Sequence, residues 1–235
     1  FINATRVPAM ISVSELKRRF EAQMRDDTVE PVGTGITHSG GKGPLPRTLP
    51  ALIKKPLFLQ ERKGLSGAEA GTAMHFVMQH LDFDRGEYAE QIAEMVDRDL
   101  LTQQQAECVD VGKIEEFLAS PLGQRLMAAE KVHREVPFQM ELPCHELYEN
   151  MQGEEYRDET ILLQGIIDCF FEEEEGIVLL DYKTDYVPQG GVEVIRNRYK
   201  TQITYYARAL EHLAGKKVIG KYIYLFSTGE ILEYS

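Results

Sequence analysis

The chain has 235 residues with 26 Lys and Arg against 38 Asp and Glu, a formal net charge of −12, and a length that carries one large domain or two small ones around a sizeable core. Hydrophobic residues make up 43%, and no apolar run is long enough to cross a bilayer as a helix, so a helical membrane span is excluded. The acidic balance predicts that the chain as a whole repels a phosphate backbone; any nucleic acid it handles is delivered by a partner, or held by a local basic stripe and metal ions.

The chain opens at Phe1 with no charged leader, apolar stretch and small-residue cleavage site, so it is expected to be a piece of a longer protein rather than one carrying a signal peptide. Ser12 with Glu15 three residues on is a capping box that starts a first helix through "ELKRRFEAQM". The stretch 26–50 is dense in Gly, Pro and Thr and has no periodicity, which reads as a long loop or tether. Residues 1–65 are thus expected to lead into a domain over 66–235.

A second capping box, Ser66 with Glu69, opens "GAEAGTAMHFVMQHL", where Met74, Val77, Met78 and Leu81 form an apolar stripe. Helices are predicted over 87–97, 102–109 and 112–119, followed by a short one capped by Ser120 with Pro121 at its first position. Strands follow in "VHREVPFQMEL", "ETILLQGIIDCFFEEEE" and "GIVLLDYKTD". A long helix over 192–213 is closed by Gly215 and two lysines, and "KVIGKYIYLF" and "EILEYS" are the last strands. Helices, three strands, a helix and two strands imply an α/β sheet flanked by helices, with a helical N-terminal half. Cys108, Cys144 and Cys169 fit no CxxC or CxxH pairing, which argues against a zinc site, an iron–sulfur cluster or a disulfide framework and for a reducing, cytoplasmic setting.

The chemistry concentrates at "IVLLDYKTDYV". Alternation along a strand puts Leu179, Asp181, Lys183 and Asp185 on one face and Leu180, Tyr182 and Thr184 on the other. Asp181 and Lys183 are aimed at one spot, and an ion pair at a strand end is the plainer reading. Asp168, in "LLQGIIDCFF", stands among apolar residues, where an unpartnered carboxylate is costly or gives up its charge. If the two strands pair through "EEEEG", Asp168 faces Asp181, and two carboxylates that close call for a cation; Lys183 alone is a weak answer and a divalent metal a better one.

His75 lies at the edge of the apolar stripe of its helix, either as a core or capping residue or as a ligand pointing into a cleft. His80 has only the plainer reading. Gln202 and Tyr206, four apart on the long helix, share a face and reach a substrate or the lysine together, unless Tyr206 is core and Gln202 solvated. Glu135, in "REVPF", is a supporting carboxylate or an exposed strand residue, and Asp185 is taken as solvated.

The ordered set "GTAMH", "REVPF", "QGIIDCFF", "LLDYKTD" and "QITYYARAL", spanning 66–210, resembles the nuclease domain of the AddA and RecB type, in the restriction-endonuclease-like PD-(D/E)XK family; "ISVSELKRRF" resembles the family's opening segment. The AddA type carries this domain at its C-terminus, matching a fragment, whereas the cluster-bearing AddB and Cas4 types use four cysteines that this sequence lacks. The resemblance implies a mixed central sheet and a metal-dependent deoxyribonuclease, an exonuclease that cuts single-stranded DNA fed by helicase domains of the same longer chain, beside an AddB-type partner, in double-strand-break repair and recombination. It implies that His75, Asp168, Asp181 and the backbone carbonyl of Tyr182 ligate Mg²⁺ or Mn²⁺, and that Lys183 orients or deprotonates the attacking water. Glu135, Gln202 and Tyr206 would support the site or position DNA, and Arg196, Arg198 and Lys200 would line a strand path or form a solvated face. The alternative is a catalytically inactive nuclease-like module that binds DNA or other proteins of the complex.

Overall fold

A computed structural model describes residues 8–26, 65–148, 151–188 and 191–235. The loop read over 26–50 lies, from residue 27 on, outside them. Ser12 caps the first helix as expected, accepting from the Glu15 amide at 3.2 Å, and Met10–Ser12 (β1) runs directly into Val13–Asp26 (α1). The second capping box is formed on both sides: the Ser66 hydroxyl accepts from the Glu69 amide and the Glu69 carboxylate accepts from the Ser66 amide, starting Gly67–His80 (α2). Tyr88–Asp97 (α3), Gln103–Glu107 (α4), Val111–Ala119 (α5) and Pro121–Ala128 (α6) complete a helical layer, and the proline stands where its missing N–H is not needed.

Among the described residues the sheet is mixed and six-stranded. Lys131–Pro143 (β2) pairs antiparallel with Thr160–Glu173 (β3) after the short helix Cys144–Leu147 (α7). A tight turn brings Gly176–Lys183 (β4) back antiparallel along β3. The helix Val192–Ala214 (α8) then crosses over to Val218–Leu225 (β5), parallel to β4, and Glu230–Tyr234 (β6) closes the sheet antiparallel to β5.

β4 is buried on both faces, which is why it reads as a continuous apolar run. Its alternation sorts it between two cores. Leu179 joins Leu16, Ile195, Ile203 and Leu210 under α1 and α8, while Leu180 and Tyr182 join Val77, Leu81, Ile114 and Phe117 under α2 to α6. Each such fully buried aliphatic contributes about 1.5–3 kcal/mol, so the two layers clamp the central strand from both sides.

One strand is absent from the sequence reading. β1 is too short to alternate and pairs in parallel with Leu162–Gln164, far along the chain, so no local pattern announces it. Its position matters. Along one edge of β3, β1 pairs with residues 162–164 and β4 with 169–173, leaving 165–168 between them with neither. At the same level on the other edge, Glu135 takes a left-handed φ of 51°, and the in-and-out alternation of β3 breaks: Cys169 and Phe171 pack under the α2 layer, Ile167 and Leu163 under α8. Such a local irregularity re-aims side chains, and a non-glycine residue held at positive φ costs on the order of 1 kcal/mol or more.

The helical layer is tightest where α5 meets α6. A Cβ on Gly123 would stand 2.1 Å from the Phe117 carbonyl oxygen and 2.6 Å from the Leu118 Cα, atoms that cannot swing away. Gly123→Ala is therefore expected to lower unfolding free energy by about 2 kcal/mol or more in urea titration, whereas Gly67→Ala, with nothing within 4 Å of the new methyl, should stay within about 1 kcal/mol of the parent.

Candidate active site

Past the Cys169–Leu180 pair β4 leaves β3 and continues alongside β5 alone, with Asp181 opposite Ile223, Tyr182 opposite Tyr224 and Lys183 opposite Leu225. The Tyr182 amide, freed from β3's backbone, donates to Asp168 Oδ2 at 3.0 Å. The β3–β4 pairing ends one step before Asp168 and Asp181 would stand opposite each other, yet the two carboxyls stay close enough for each to feel the other's charge. Asp181 is completely buried. Its Oδ1 accepts from Gln202 Nε2 of α8 at 2.9 Å, and its Oδ2 meets the Lys183 ammonium. The predicted face is therefore real, and its neighbour Tyr182 turns its ring the other way, edge-on to Phe117 at 5.5 Å.

α2 supplies the opposite wall. His75 Nδ1 stands 3.3 Å from Asp168 Oδ2, and the imidazole rests against the Tyr182 backbone carbonyl. Gly71, one turn earlier, allows this approach, since a Cβ there would stand 2.8 Å from Thr184 Oγ1 at the end of β4. One ligand atom each from His75, Glu135 and Asp168 lies within 4.8 Å of the others, a group that could hold a metal ion. The trio opens into a cleft of about 430 Å³ between α2 and the sheet, edged by Thr72 and Gln79.

The electrostatics show what is missing from this arrangement. Burial, and then the neighbouring Asp168, push the Asp181 carboxyl up to about 7. Burial also raises Asp168, and it raises Glu135 together with the charge of Asp181. For Lys183, burial works against the charge, but Asp181 and Asp168 outweigh it and hold the ammonium above its ordinary range. His75 is pulled down by burial and then by Lys183, which keeps the imidazole neutral and its lone pair available. Three carboxyls thus face one ammonium, and the shortfall is positive charge.

Several supporting residues differ from the sequence reading. Gln202 and Tyr206 are both buried, and Gln202 bonds to Asp181 rather than to Lys183, with Tyr206 one turn on, its ring edge-on to Phe138 at 5.7 Å. Asp185 is half-buried and partnered rather than free in solvent: it accepts from the Tyr199 hydroxyl at 2.9 Å and from Arg198 Nη1 at 3.2 Å. Arg198 is thereby paired, and Arg196 reaches Glu193 and the Glu233 carbonyl, while both remain partly exposed. His80 packs against Phe76, ring centroids 4.3 Å apart. Sequence reasoning missed Arg134, whose guanidinium donates to the Met78 and Leu81 carbonyls at 3.1 and 2.6 Å and so ties the end of α2 to the strand that carries Glu135. Only its place beside Glu135 could have drawn notice to it.

A family model described as the PD-(D/E)XK nuclease superfamily matches residues 52–233. Among curated relatives, an ATP-dependent helicase/nuclease subunit of Acetivibrio thermocellus is 54% identical over 234 residues, covering 100% of this chain and 18% of that protein. Its counterpart in Ruminiclostridium cellulolyticum is 48% identical over 227 residues, covering 97% of this chain and 17% of that protein. The chain therefore spans less than a fifth of the length of these relatives. A solved structure described as "Crystal structure of SSO0001" aligns with a TM-score of 0.32 at 14% identity, over 75% of this chain and 68% of that one.

The charge balance sets a pH dependence. The Asp181 and Asp168 carboxyls hold protons more tightly folded than unfolded, so their contribution to stability is present at low pH and is lost as pH rises through about 7 for Asp181. Lys183→Met removes the ammonium and widens that loss. In urea titrations with chelator, the variant is expected to lie about 3 kcal/mol below the parent near pH 8, with a smaller gap near pH 5, where protons replace the missing charge.

Proposed function

The chain belongs to the PD-(D/E)XK nuclease superfamily, and from that premise we propose that it is a metal-dependent exonuclease domain hydrolysing phosphodiester bonds of single-stranded DNA. The carrying observation is the shortfall of positive charge at the floor of an open cleft, where Asp168, Asp181 and Glu135 surround Lys183 and a neutral His75.

His75, Asp168 and Glu135, whose ligand atoms lie within 4.8 Å of one another, would hold Mg²⁺ or Mn²⁺ with the Tyr182 carbonyl beside them, and Asp181 would join by giving up its contact with Gln202 or Lys183. When bound, such an ion acidifies water and neutralises charge developing on the scissile phosphate. The chain's residues supply the rest. Neutral His75 needs no proton removed before it can donate its lone pair. Lys183, kept an ammonium by its neighbours, works as a donor that orients the attacking water and meets the growing negative charge, rather than as the base. Gln202 fixes the Asp181 carboxylate, and Tyr206 backs Gln202.

The name these relatives share, ATP-dependent helicase/nuclease, supports a strand delivered by helicase domains of the same longer chain; an AddB-type partner and a place in cytoplasmic double-strand-break repair and recombination rest on the resemblance of the motifs alone. Delivery by a motor also suits a chain of net charge −12, which attracts DNA weakly by itself. No helix among the described residues is long and apolar enough to cross a membrane.

Cleavage of a labelled single-stranded oligonucleotide with Mg²⁺, with Mn²⁺ and with EDTA tests this reading. Cutting is expected only with metal, and to fall by at least about 100-fold in Asp181→Ala and in Lys183→Ala. Calorimetry should show Mn²⁺ binding weakened about tenfold or more in His75→Ala. A parent that binds Mn²⁺ and cuts nothing would point instead to the inactive module.

A further inference from the structure

Tyr199, Gln202 and Tyr206 line one face of α8 at helical spacing. Gln202 and Tyr206 act on Asp181, and the function proposed above leaves Tyr199 and Asp185 without a part. Yet Lys183 Nζ lies 4.9 Å from the centroid of the Tyr199 ring, the ring is 6% exposed, and its hydroxyl donates to Asp185 Oδ2 at 2.9 Å. Asp185 is in turn gripped by Arg198, and Lys17 of α1 lies 4.2 Å from the same centroid.

Resting on the nuclease reading, we propose that Tyr199, clamped at its hydroxyl by Asp185, is a positioning residue that aims the Lys183 ammonium at the reacting phosphate. A lysine ammonium is a point charge with three donors on a flexible stem, and one carboxylate fixes it in one direction only. An aromatic face attracts the ammonium without a lone pair that takes one of its protons. The ring therefore confines Lys183 on a second side and leaves N–H groups for the water and the phosphate; an oxygen in the same place would consume a donor. Packing holds the buried ring in place as a wall, and the Asp185 bond trims what swing remains. Burial holds its phenol protonated, so the hydroxyl remains the donor to Asp185. This gives a part to the second carboxylate of "DYKTD", two residues beyond Lys183 and just past the end of β4.

The test compares Tyr199→Met, which fills the space without a π face, with Tyr199→Phe, which keeps the face and loses the clamp, and with Asp185→Asn. Oligonucleotide cleavage gives kcat and KM, calorimetry gives Mn²⁺ affinity, and NMR of isotope-labelled lysine gives the ring-current shift of the Lys183 side-chain protons, assigned through Lys183→Arg. For Tyr199→Met, kcat is expected to fall about 10- to 100-fold with KM and Mn²⁺ affinity within about twofold of the parent, and the upfield shift to vanish. Tyr199→Phe should keep the shift and recover kcat to within about fivefold, with Asp185→Asn alongside it. Unchanged kcat in Tyr199→Met, or Phe falling as far as Met, would overturn the proposal. If the parent cuts no DNA, the nuclease reading fails separately while the proton shifts still decide the placement: equal shifts in parent, Phe and Met variants sink it.

Discussion

Where β4 parts from β3, the backbone of residues 181–183 has a sheet neighbour on one side only, and buried amides do not stay unpaired. The Asp168 carboxylate fills the gap by accepting from the Tyr182 amide. That hydrogen bond fixes how far the strands open, and so where Asp181 and Lys183 stand relative to Asp168. It also explains why an aspartate is stable in so apolar a strand: one oxygen is tied to a backbone donor, and the carboxyl sits at the mouth of the fork rather than inside either core.

Three layers then converge on the fork. The sheet supplies Asp168, Asp181 and Lys183; α2 brings His75 across from one face; α8 brings Gln202 from the other. Each contribution depends on packing some distance away, such as the Gly71 approach to Thr184 and the Arg134 grip on the end of α2. The site's surplus of negative charge is tolerable because it lies at the end of a strand clamped between two apolar cores, where the cores carry the stability and the fork carries the chemistry.

What was legible in the sequence followed from local rules. The cap at Ser12, the capping box at Ser66, Pro121 at a helix start, and period-two alternation through Leu179, Asp181 and Lys183 each act within a few residues, so they show in the text of the chain. The antiparallel pairing of β3 with β4 was also readable, because a hairpin fixes register from its turn. β1, the left-handed φ at Glu135, the Gln202 bond to Asp181 and the Tyr199 bond to Asp185 were not. All of these depend on the angle at which α8 recrosses the sheet or on a strand arriving from far away, and no spacing rule encodes either. Asp185 was misread for that reason: its partner sits on another element.

β1 and α1 precede the segment matched by the family model, which begins at residue 52. Yet β1 covers the edge of β3 next to the fork, and Lys17 of α1 lies over the ring against which Lys183 rests. The segment matched by the family model and the unit drawn by hydrogen bonding are therefore not the same stretch of chain. Anyone grafting the matched segment onto another motor would transplant the ligands and the lysine but leave residues 162–164 as a raw strand edge beside them, open to pairing with a second molecule.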